Sequence, residues 1–193
     1  MEVRIKEEAG YEWALRGMAY SYYDNSGDVE EWWEGQYPKA EKRAALLAHK
    51  GEGHSKFLES IQMWVDINAT RAFWSEFDTY RAGMTKQSTS TMHTLAKRGP
   101  VPGDFEDAID PIMFDAFCRV WEKSKSGITA LKENLPEGFL QRRMCCTNYK
   151  TMQNIIKQRE GHRYDRWSHF VDAVMINCQH PEFLVDFSKR VEK

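Results

Sequence analysis

Hydrophobic and polar residues alternate along three stretches of the chain, which is the pattern of β-strands that bury one face. In residues 60–68 every second side chain is apolar and most of those between are polar. Shorter alternating stretches occupy residues 1–6 and 140–147. We therefore predict three strands, with buried faces formed by Val3 and Ile5; by Ile61, Met63, Val65 and Ile67; and by Leu140, Met144 and Cys146.

Apolar residues spaced by three and four predict helices in much of the remaining chain. Pro38, Pro111 and Pro181 each fit the first turn of a helix, and Asp110 is a suitable N-cap for the second of these. The predicted helices are residues 11–22, 40–49, 111–125, 129–133, 148–159, 167–175 and a last one from 181 onward. Their predicted apolar faces include Trp13, Ala14, Met18 and Tyr22; Met113, Phe117, Val120 and Trp121; Trp167, Phe170, Val171 and Val174; and Phe183, Leu184, Phe187 and Val191.

Charge is unevenly distributed along the chain. Residues 141–166 contain seven Lys or Arg and two acids, a local net of +5, whereas the whole chain of 193 residues has a net charge of −2. A compact basic segment suits a small anion such as a nucleotide phosphate, because a nucleic-acid strand needs a long basic track. We expect a phosphorylated small molecule and no nucleic-acid polymer. A solvated basic helix face is the alternative that the sequence leaves open.

The predicted helix at residues 148–159 carries polar groups at both ends of an apolar stripe. At ~100° of rotation per residue, one face of this helix, within about 40°, contains Asn148, Met152, Ile155 and Arg159. An amide or a guanidinium that is removed from water needs hydrogen-bond partners. Protein partners and a bound ligand are the two ways to supply them.

The chain lacks the sequence patterns of several other functional classes. It contains no P-loop, no Gly-rich dinucleotide motif and no plausible Ser-His-Asp order. The four cysteines lack zinc spacing and the His49–His54 pair spans two glycines, so we expect no metal site. No apolar run approaches about 18 residues and no signal-peptide pattern opens the chain, so we expect one soluble, cytoplasmic domain without membrane contact.

One spacing resembles that of a known enzyme family. After Leu135-Pro136, the chain has Asn148, Asn154 and Arg159 at intervals that match the C-terminal signature of flavin-dependent thymidylate synthases without a gap. The resemblance implies that Asn148, Lys150 and Asn154 contact the flavin and that Arg159 reads the pyrimidine ring. It also places Lys132 where the family usually has an Arg near the nucleotide phosphate.

Two further segments extend the resemblance. Gly53-His54 followed by Glu59 is similar to the family element G-H-x-x-x-x-E-H, with Ser60 in place of the second His. The family signature R-H-R-x-x-S-x-x-x-x-S-x-R falls on residues 79–91, where Arg81 is retained and Thr79 and Tyr80 replace the preceding Arg and His. The resemblance implies that Arg81 contacts the flavin. The candidate hydroxyls are Ser88, Thr89 and Ser90, of which Ser88 and Thr89 are the candidate substrate contacts; a plain solvated Ser/Thr loop is the alternative.

The resemblance implies a divergent, phage-type member of this family. The expected fold is α+β, with helices packed on an antiparallel or mixed sheet, and the expected assembly is a homotetramer with its sites between subunits. The implied reaction methylates dUMP to dTMP with FAD as cofactor and with NADPH and methylenetetrahydrofolate as co-substrates. Two alternatives stay open: a repurposed pyrimidine-nucleotide-binding protein that has lost flavin and catalysis, and a structural or inhibitory oligomer built on the same scaffold.

Overall fold

The computed structural model describes residues 1–51, 53–107, 109–124 and 127–187, and its architecture is α+β. Four strands lie in the described part: β1 (Glu2–Ala9), β2 (Gln62–Thr70), β3 (Thr85–Ser88) and β4 (Leu140–Asn148). The helices there are α1 (Tyr11–Ala19), α2 (Val29–Leu47), α3 (Arg71–Phe77), α4 (Leu95–Arg98), α5 (Pro111–Lys123), α6 (Ile128–Glu133), α7 (Tyr149–Arg159), α8 (Arg166–Asn177) and α9 (Pro181–Leu184). None of these helices combines the length and apolar character that crossing a bilayer requires.

The strands form one antiparallel sheet in the order β1-β2-β4-β3. The three predicted strands are confirmed, and the buried face of β2 carries the predicted Met63, Val65 and Ile67. The predicted face of β4 is wrong, because Cys145 is buried whereas Met144 and Cys146 are only half-buried. Strand β3 was not predicted, since its sequence Thr-Lys-Gln-Ser has no apolar alternation and lies at an exposed sheet edge.

The first unit comprises Met1–Val3, Asp66–Arg81 and Lys86–Cys145. Asp110 caps α5 as predicted, accepting hydrogen bonds from the backbone N–H groups of Ile112 and Met113. Of the apolar face predicted for α5, Phe117 is buried but Met113 is 56% exposed. The predicted end of this helix at Lys125 lies outside the described residues. The core of the unit is formed by Leu95, Phe105, Phe117, Leu131, Leu135 and Phe139.

The second unit comprises Arg4–Val65, Ala82–Thr85 and Cys146–Lys193. The start predicted for a helix at Pro38 is wrong: α2 is already helical from Val29, because Asp28 accepts hydrogen bonds from the N–H groups of Glu30 and Glu31. Pro38 lies inside this helix on its exposed side, where the carbonyl that loses its partner can meet water.

Helix α1 buries only part of the face predicted for it, since Ala14 is buried and Met18 is half-buried. Trp13 and Tyr22 are 69% and 59% exposed, whereas Ala14, Leu15 and Ala19 are buried. Helix α1 packs on α2, which offers Ala40 and Ala44, both fully buried. Small side chains let two helices approach closely. The contact also includes a large aromatic residue of α2, because Trp33 is buried and its Nε1 donates to Glu12 Oε1 of α1 at 3.1 Å.

The last two helices differ in how well the pattern predicted them. Helix α8 buries the predicted residues Trp167, Phe170, Val171 and Val174. Helix α9 ends at Leu184, so Phe187 lies beyond it and is 47% exposed, and the predicted Val191 is outside the described residues. The extended backbone of Val185 ends the helix after one turn.

Two cations of the first unit share one carboxylate. Arg143 Nη1 lies 2.8 and 3.0 Å from the two carboxylate oxygens of Asp78, and Lys86 Nζ lies 3.0 Å from Asp78 Oδ1. Partial burial acts to raise the pKa of Asp78, but the hydrogen bonds from Arg143 and Lys86 outweigh it and lower that pKa. These contacts join β3 and β4 to the end of α3.

We expect Asp78→Asn to lower the free energy of unfolding by about 1 kcal/mol at neutral pH, a modest amount because the Asp78 side chain is 46% exposed. Since the folded-state pKa is depressed, the stabilisation is present above the ordinary value of 3.8 and is lost as the pH falls through the lower folded value. Urea denaturation at neutral and acidic pH checks this. The control is Asp172→Asn, an exposed carboxylate on α8. A loss that is equally large in acid would contradict the role of the charge.

Candidate functional site

The sequence-predicted site residues are divided between the two units. The first unit contains Arg81, Ser88, Thr89, Ser90 and Lys132, and the second contains Asn148, Lys150, Asn154 and Arg159. In the second unit all four belong to α7 or to its N-cap, so the geometry of that helix decides how they are presented.

Asn148 is the N-cap of α7. Its backbone is extended, and its Oδ1 accepts a hydrogen bond of 2.8 Å from the N–H of Thr151. The protein thus supplies the partner that the amide oxygen requires. The structure shows no hydrogen bond from Nδ2 to any described residue, so this N–H₂ group is available as a donor to a ligand.

A short segment that follows Arg81 in the chain packs against the start of α7. Thr147 Oγ1 donates to the carbonyl of Gly83 at 2.9 Å, and Thr151 Oγ1 donates to the carbonyl of Ala82 at 3.3 Å. Gly83 has φ +68°, and a Cβ added there would collide with Thr151 Oγ1 and lie 3.0 Å from Asn148 Nδ2. Only glycine lets this segment approach the helix so closely.

Lys150 connects α7 to the segment that carries the Gly-His element. Its Nζ donates to Ser55 Oγ at 2.6 Å and to Gln153 Oε1 at 3.2 Å. A paired Ser and Lys is also an arrangement that activates a nucleophile, but Ser55 is only 2% exposed and no substrate can reach it. We therefore assign the Lys150–Ser55 contact to positioning.

Asn154 and Arg159 lie further along α7. Asn154 is exposed and its Oδ1 accepts from Gln158 Nε2 at 3.1 Å. From Asn148 to Arg159 the helix rises by about 16 Å at ~1.5 Å per residue. Ligands that contact both ends of α7 must therefore extend over about 16 Å, a length that a nucleotide and a second cofactor cover together.

Arg159 is half-buried and has partners within the protein. Its Nη1 lies 2.9 Å from Nε2 of His162, and its guanidinium carbon lies 4.3 Å from the ring centroid of Trp167. The sequence predicted that the guanidinium of Arg159 would need partners, and His162 and Trp167 supply them within the protein. Gly161, with φ +71°, forms the turn that brings His162 back toward the helix end.

The second unit contains a cleft of about 680 Å³ that the spacing of motif residues did not predict. Helices α1 and α2 and the segment around His54 line it, and Trp13 and Tyr22 contribute exposed aromatic rings. Arg43 stacks on Tyr22 with 3.8 Å between the guanidinium carbon and the ring centroid. His54 and Glu59 lie in the wall of the cleft. The Gly-His element is thus the sequence signal that maps to it.

All the candidate residues of the first unit except the half-buried Ser90 lie at exposed positions. The structure shows no hydrogen bond or ion pair from the side chains of Arg81, Ser88, Thr89 or Lys132 to any described residue, so they are accessible to a ligand. Ser90 is different, because its carbonyl accepts from Thr94 Oγ1 at 2.7 Å and its hydroxyl accepts from the N–H of His93 at 3.4 Å. Ser90 thus stabilises a turn.

Part of the basic segment has a structural role. Arg143 is bound to Asp78, and Arg142 forms ion pairs with Glu2 and, at 3.4 Å, with Asp66. Carboxylates of the first unit neutralise these two charges. The positive charge that an anion could meet in this segment is therefore smaller than the net of +5 counted from the sequence. Lys150 donates to Ser55 and Gln153, and Arg159 lies against His162 and Trp167, so these cations also have partners within the protein.

Nucleophilic chemistry by a cysteine of this region is disfavoured. Burial raises the pKa of Cys145 to about 12 and that of Cys178 to about 12, so both remain thiols at neutral pH. In the described ranges, no three His, Cys, Asp or Glu side chains converge in a way that could hold a metal ion. Cations, amides and hydroxyls are the groups that the candidate residues offer.

Comparison with protein-family models and with curated proteins gave no match. Two solved structures of the flavin-dependent thymidylate synthase ThyX from Helicobacter pylori, both complexed with FAD and dUMP, are similar to this chain. One has a TM-score of 0.74 at 16% identity, covering 96% of this chain and 99% of that chain. The other has a TM-score of 0.75 at 16% identity, with 96% and 98% covered. The chain therefore has a ThyX-like fold.

We expect Gly83→Ala to lower the free energy of unfolding by about 1–3 kcal/mol, because it adds a side chain at positive φ and a collision with Thr151. Gly35→Ala is the matched control: a Cβ on Gly35, inside α2, meets nothing within 4 Å. That change should be neutral or stabilising by up to about 1 kcal/mol. Denaturant titration of both variants checks this, and equal effects would contradict the packing assigned to Gly83.

Proposed function

We propose that this protein is a divergent flavin-dependent thymidylate synthase that methylates dUMP to dTMP. FAD would be its cofactor, and NADPH and methylenetetrahydrofolate would be co-substrates. The observation that carries the proposal is helix α7, which combines the spacing of Asn148, Asn154 and Arg159 with a fold similar to structures that hold FAD and dUMP. A cytoplasmic location and a phage-type origin are further predictions of the resemblance.

The residues present are compatible with a flavin. Asn148 Nδ2 and the ammonium group of Lys150 are donors at the first turn of α7, where the aligned backbone N–H groups also favour negative charge. The cleft of the second unit has the size and the aromatic lining typical of cofactor sites, and Arg43 and Lys56 make part of its wall cationic. We propose that Arg81, Asn148, Lys150 and Asn154 hold the cofactor and that the cleft receives part of it.

The nucleotide contacts in this proposal use cations and hydroxyls. Arg159 would bind the pyrimidine ring, Lys132 the phosphate, and Ser88 and Thr89 would donate hydrogen bonds to the nucleotide. The resemblance implies sites between the subunits of a homotetramer, so these residues need not meet within one chain. The tetramer itself is a prediction.

The chemistry assigned to the protein is orientation. The flavin, once bound and reduced by NADPH, would supply the hydride for the reduction step. The protein's residues hold the pyrimidine, the phosphate and the flavin ring in register, which lowers the entropic part of the barrier. This division of labour agrees with a candidate site made of Arg, Lys, Asn and hydroxyl groups, in which the buried cysteines are protonated.

A second candidate function is a pyrimidine-nucleotide-binding protein without flavin or catalysis. Thr79 and Tyr80, which replace the Arg and His of the family signature, support it. Thr79 Oγ1 donates to the carbonyl of Glu76 at 2.7 Å, and the Tyr80 carbonyl accepts from Lys86 Nζ at 3.1 Å. Both residues thus take part in contacts that shape the end of α3. A flavin binder and this alternative differ in cofactor retention.

We expect the purified protein to retain FAD after excess cofactor is removed, giving flavin absorption bands between about 300 and 550 nm. Lys150→Ala should weaken retention because it removes a cation at the start of α7, whereas Lys157→Ala, on an exposed position of the same helix, should not. A loaded protein should then oxidise NADPH in a dUMP-dependent manner when methylenetetrahydrofolate is present. A protein that cannot be loaded would overturn the enzyme proposal in favour of the nucleotide binder.

We expect Arg159→Ala to weaken dUMP binding by about 10- to 100-fold, the range for removing a hydrogen bond from a charged group. Isothermal titration calorimetry measures the change. Lys157→Ala is the control, since it removes an equal charge two residues away on the exposed side of α7. Unchanged affinity of the Arg159 variant would contradict the pyrimidine role.

A further inference from the structure

Trp167 forms a rigid surface under the guanidinium of Arg159. The guanidinium carbon lies 4.3 Å from the ring centroid, and the indole is fully buried. Phe170 packs edge-on against it at 5.8 Å with an interplanar angle of 85°, and His162 packs against it at 6.3 Å and 69°. The ring that supports Arg159 is therefore fixed by its own neighbours.

We infer that Trp167 is a positioning residue that holds Arg159 in the orientation in which it binds the pyrimidine ring. This inference rests on the proposed function, from which it takes the ligand of Arg159. Trp167 belongs to α8, outside the spacing that relates Asn148, Asn154 and Arg159, so the resemblance did not assign it a role. The stacking geometry points to it.

The physical basis is the conformational freedom of arginine. A free Arg side chain samples many rotamers, and a binding event that must first order it loses that conformational entropy. In this structure one face of the guanidinium lies on the indole and Nη1 lies 2.9 Å from His162 Nε2, so both position and plane are fixed before a ligand arrives. Pre-organisation of this kind increases affinity without adding a contact to the ligand.

A second Arg–Trp stack also fixes the plane of a guanidinium, but this guanidinium belongs to a structural ion pair. Arg143 lies on Trp74 with 4.2 Å between the guanidinium carbon and the ring centroid. There the donors are directed at Asp78 and at Gln141 Oε1, and the stack orients a structural ion pair. In the described part of the chain, Trp74 thus orients the guanidinium of Arg143 in the way that Trp167 orients that of Arg159.

The test compares Trp167→Leu with Trp167→Phe by calorimetric titration of dUMP and of 2′-deoxycytidine monophosphate. The leucine variant should bind dUMP about five- to tenfold more weakly, and its preference for dUMP over the cytidine nucleotide should fall by a similar factor. Phenylalanine keeps an aromatic face and should restore most of the affinity and preference. A general loss of stability would lower both affinities together, so the ratio separates positioning from folding.

Phe183→Leu is the matched control, because it removes a buried ring of the same unit that packs on Tyr149 and Phe57 rather than on Trp167, and it should leave the nucleotide preference unchanged. If the leucine variant does not fold, Trp167→Phe decides alone: about a two- to threefold fall in preference supports the inference and an unchanged ratio overturns it. Wild-type preference in folded Trp167→Leu, together with lost binding in Arg159→Ala, overturns the positioning role only. Absence of dUMP binding in the wild type overturns the proposed function and, with it, this inference.

Discussion

The second unit depends on how helix α7 begins. Tyr149, its first residue, is fully buried, donates its N–H to the carbonyl of Ile61 at 3.0 Å and donates its hydroxyl to Glu8 Oε1 at 2.5 Å. The same hydroxyl accepts from the N–H of His180 at 3.2 Å. Burial, reinforced by the hydrogen bond to Glu8, raises the pKa of Tyr149, so its hydroxyl stays protonated as a donor. One residue thereby connects α7 to β1, to the start of β2 and to the segment before α9.

This constraint changes how the family signature should be interpreted. Asn148 caps α7, and an N-cap of this kind contributes about 1 kcal/mol whether or not a ligand is present. A match at Asn148 is therefore expected for the fold alone, because the helix start is where the unit is held together. Arg159 lies at the other end of the helix, against His162 and Trp167, and is not part of the N-cap. The pyrimidine role proposed for it is therefore tested by ligand binding, separately from the fold.

Sequence patterns predicted the elements whose burial is one-sided. The clean alternation in β2 and the apolar stripe of α8 identified both the element and its buried face. Patterns failed where tertiary contacts decide: α1 exposes Trp13 and buries Leu15, and β4 buries Thr147, whose hydroxyl bonds to Gly83. At the candidate site, spacing proposed Asn148, Lys150, Asn154 and Arg159, and the structure places all four on α7 or at its N-cap. The Lys150–Ser55 contact, the cleft around Arg43 and the Trp167 stack join residues far apart in sequence, and no local pattern encodes them.

The two ends of the proposed site differ in how fully they match the family signature. At the pyrimidine end, Arg159 keeps its planar fork and is fixed by Trp167 before a ligand binds. At the flavin end, Lys150 keeps a charge without the bidentate geometry of arginine, and Thr79 and Tyr80 serve the end of α3. Because Trp167 and His162 fix the guanidinium of Arg159, pyrimidine recognition is the part of the proposed function that the described contacts support most directly. The enzyme and the flavin-free nucleotide binder share that property, and the strength of the flavin contacts distinguishes them.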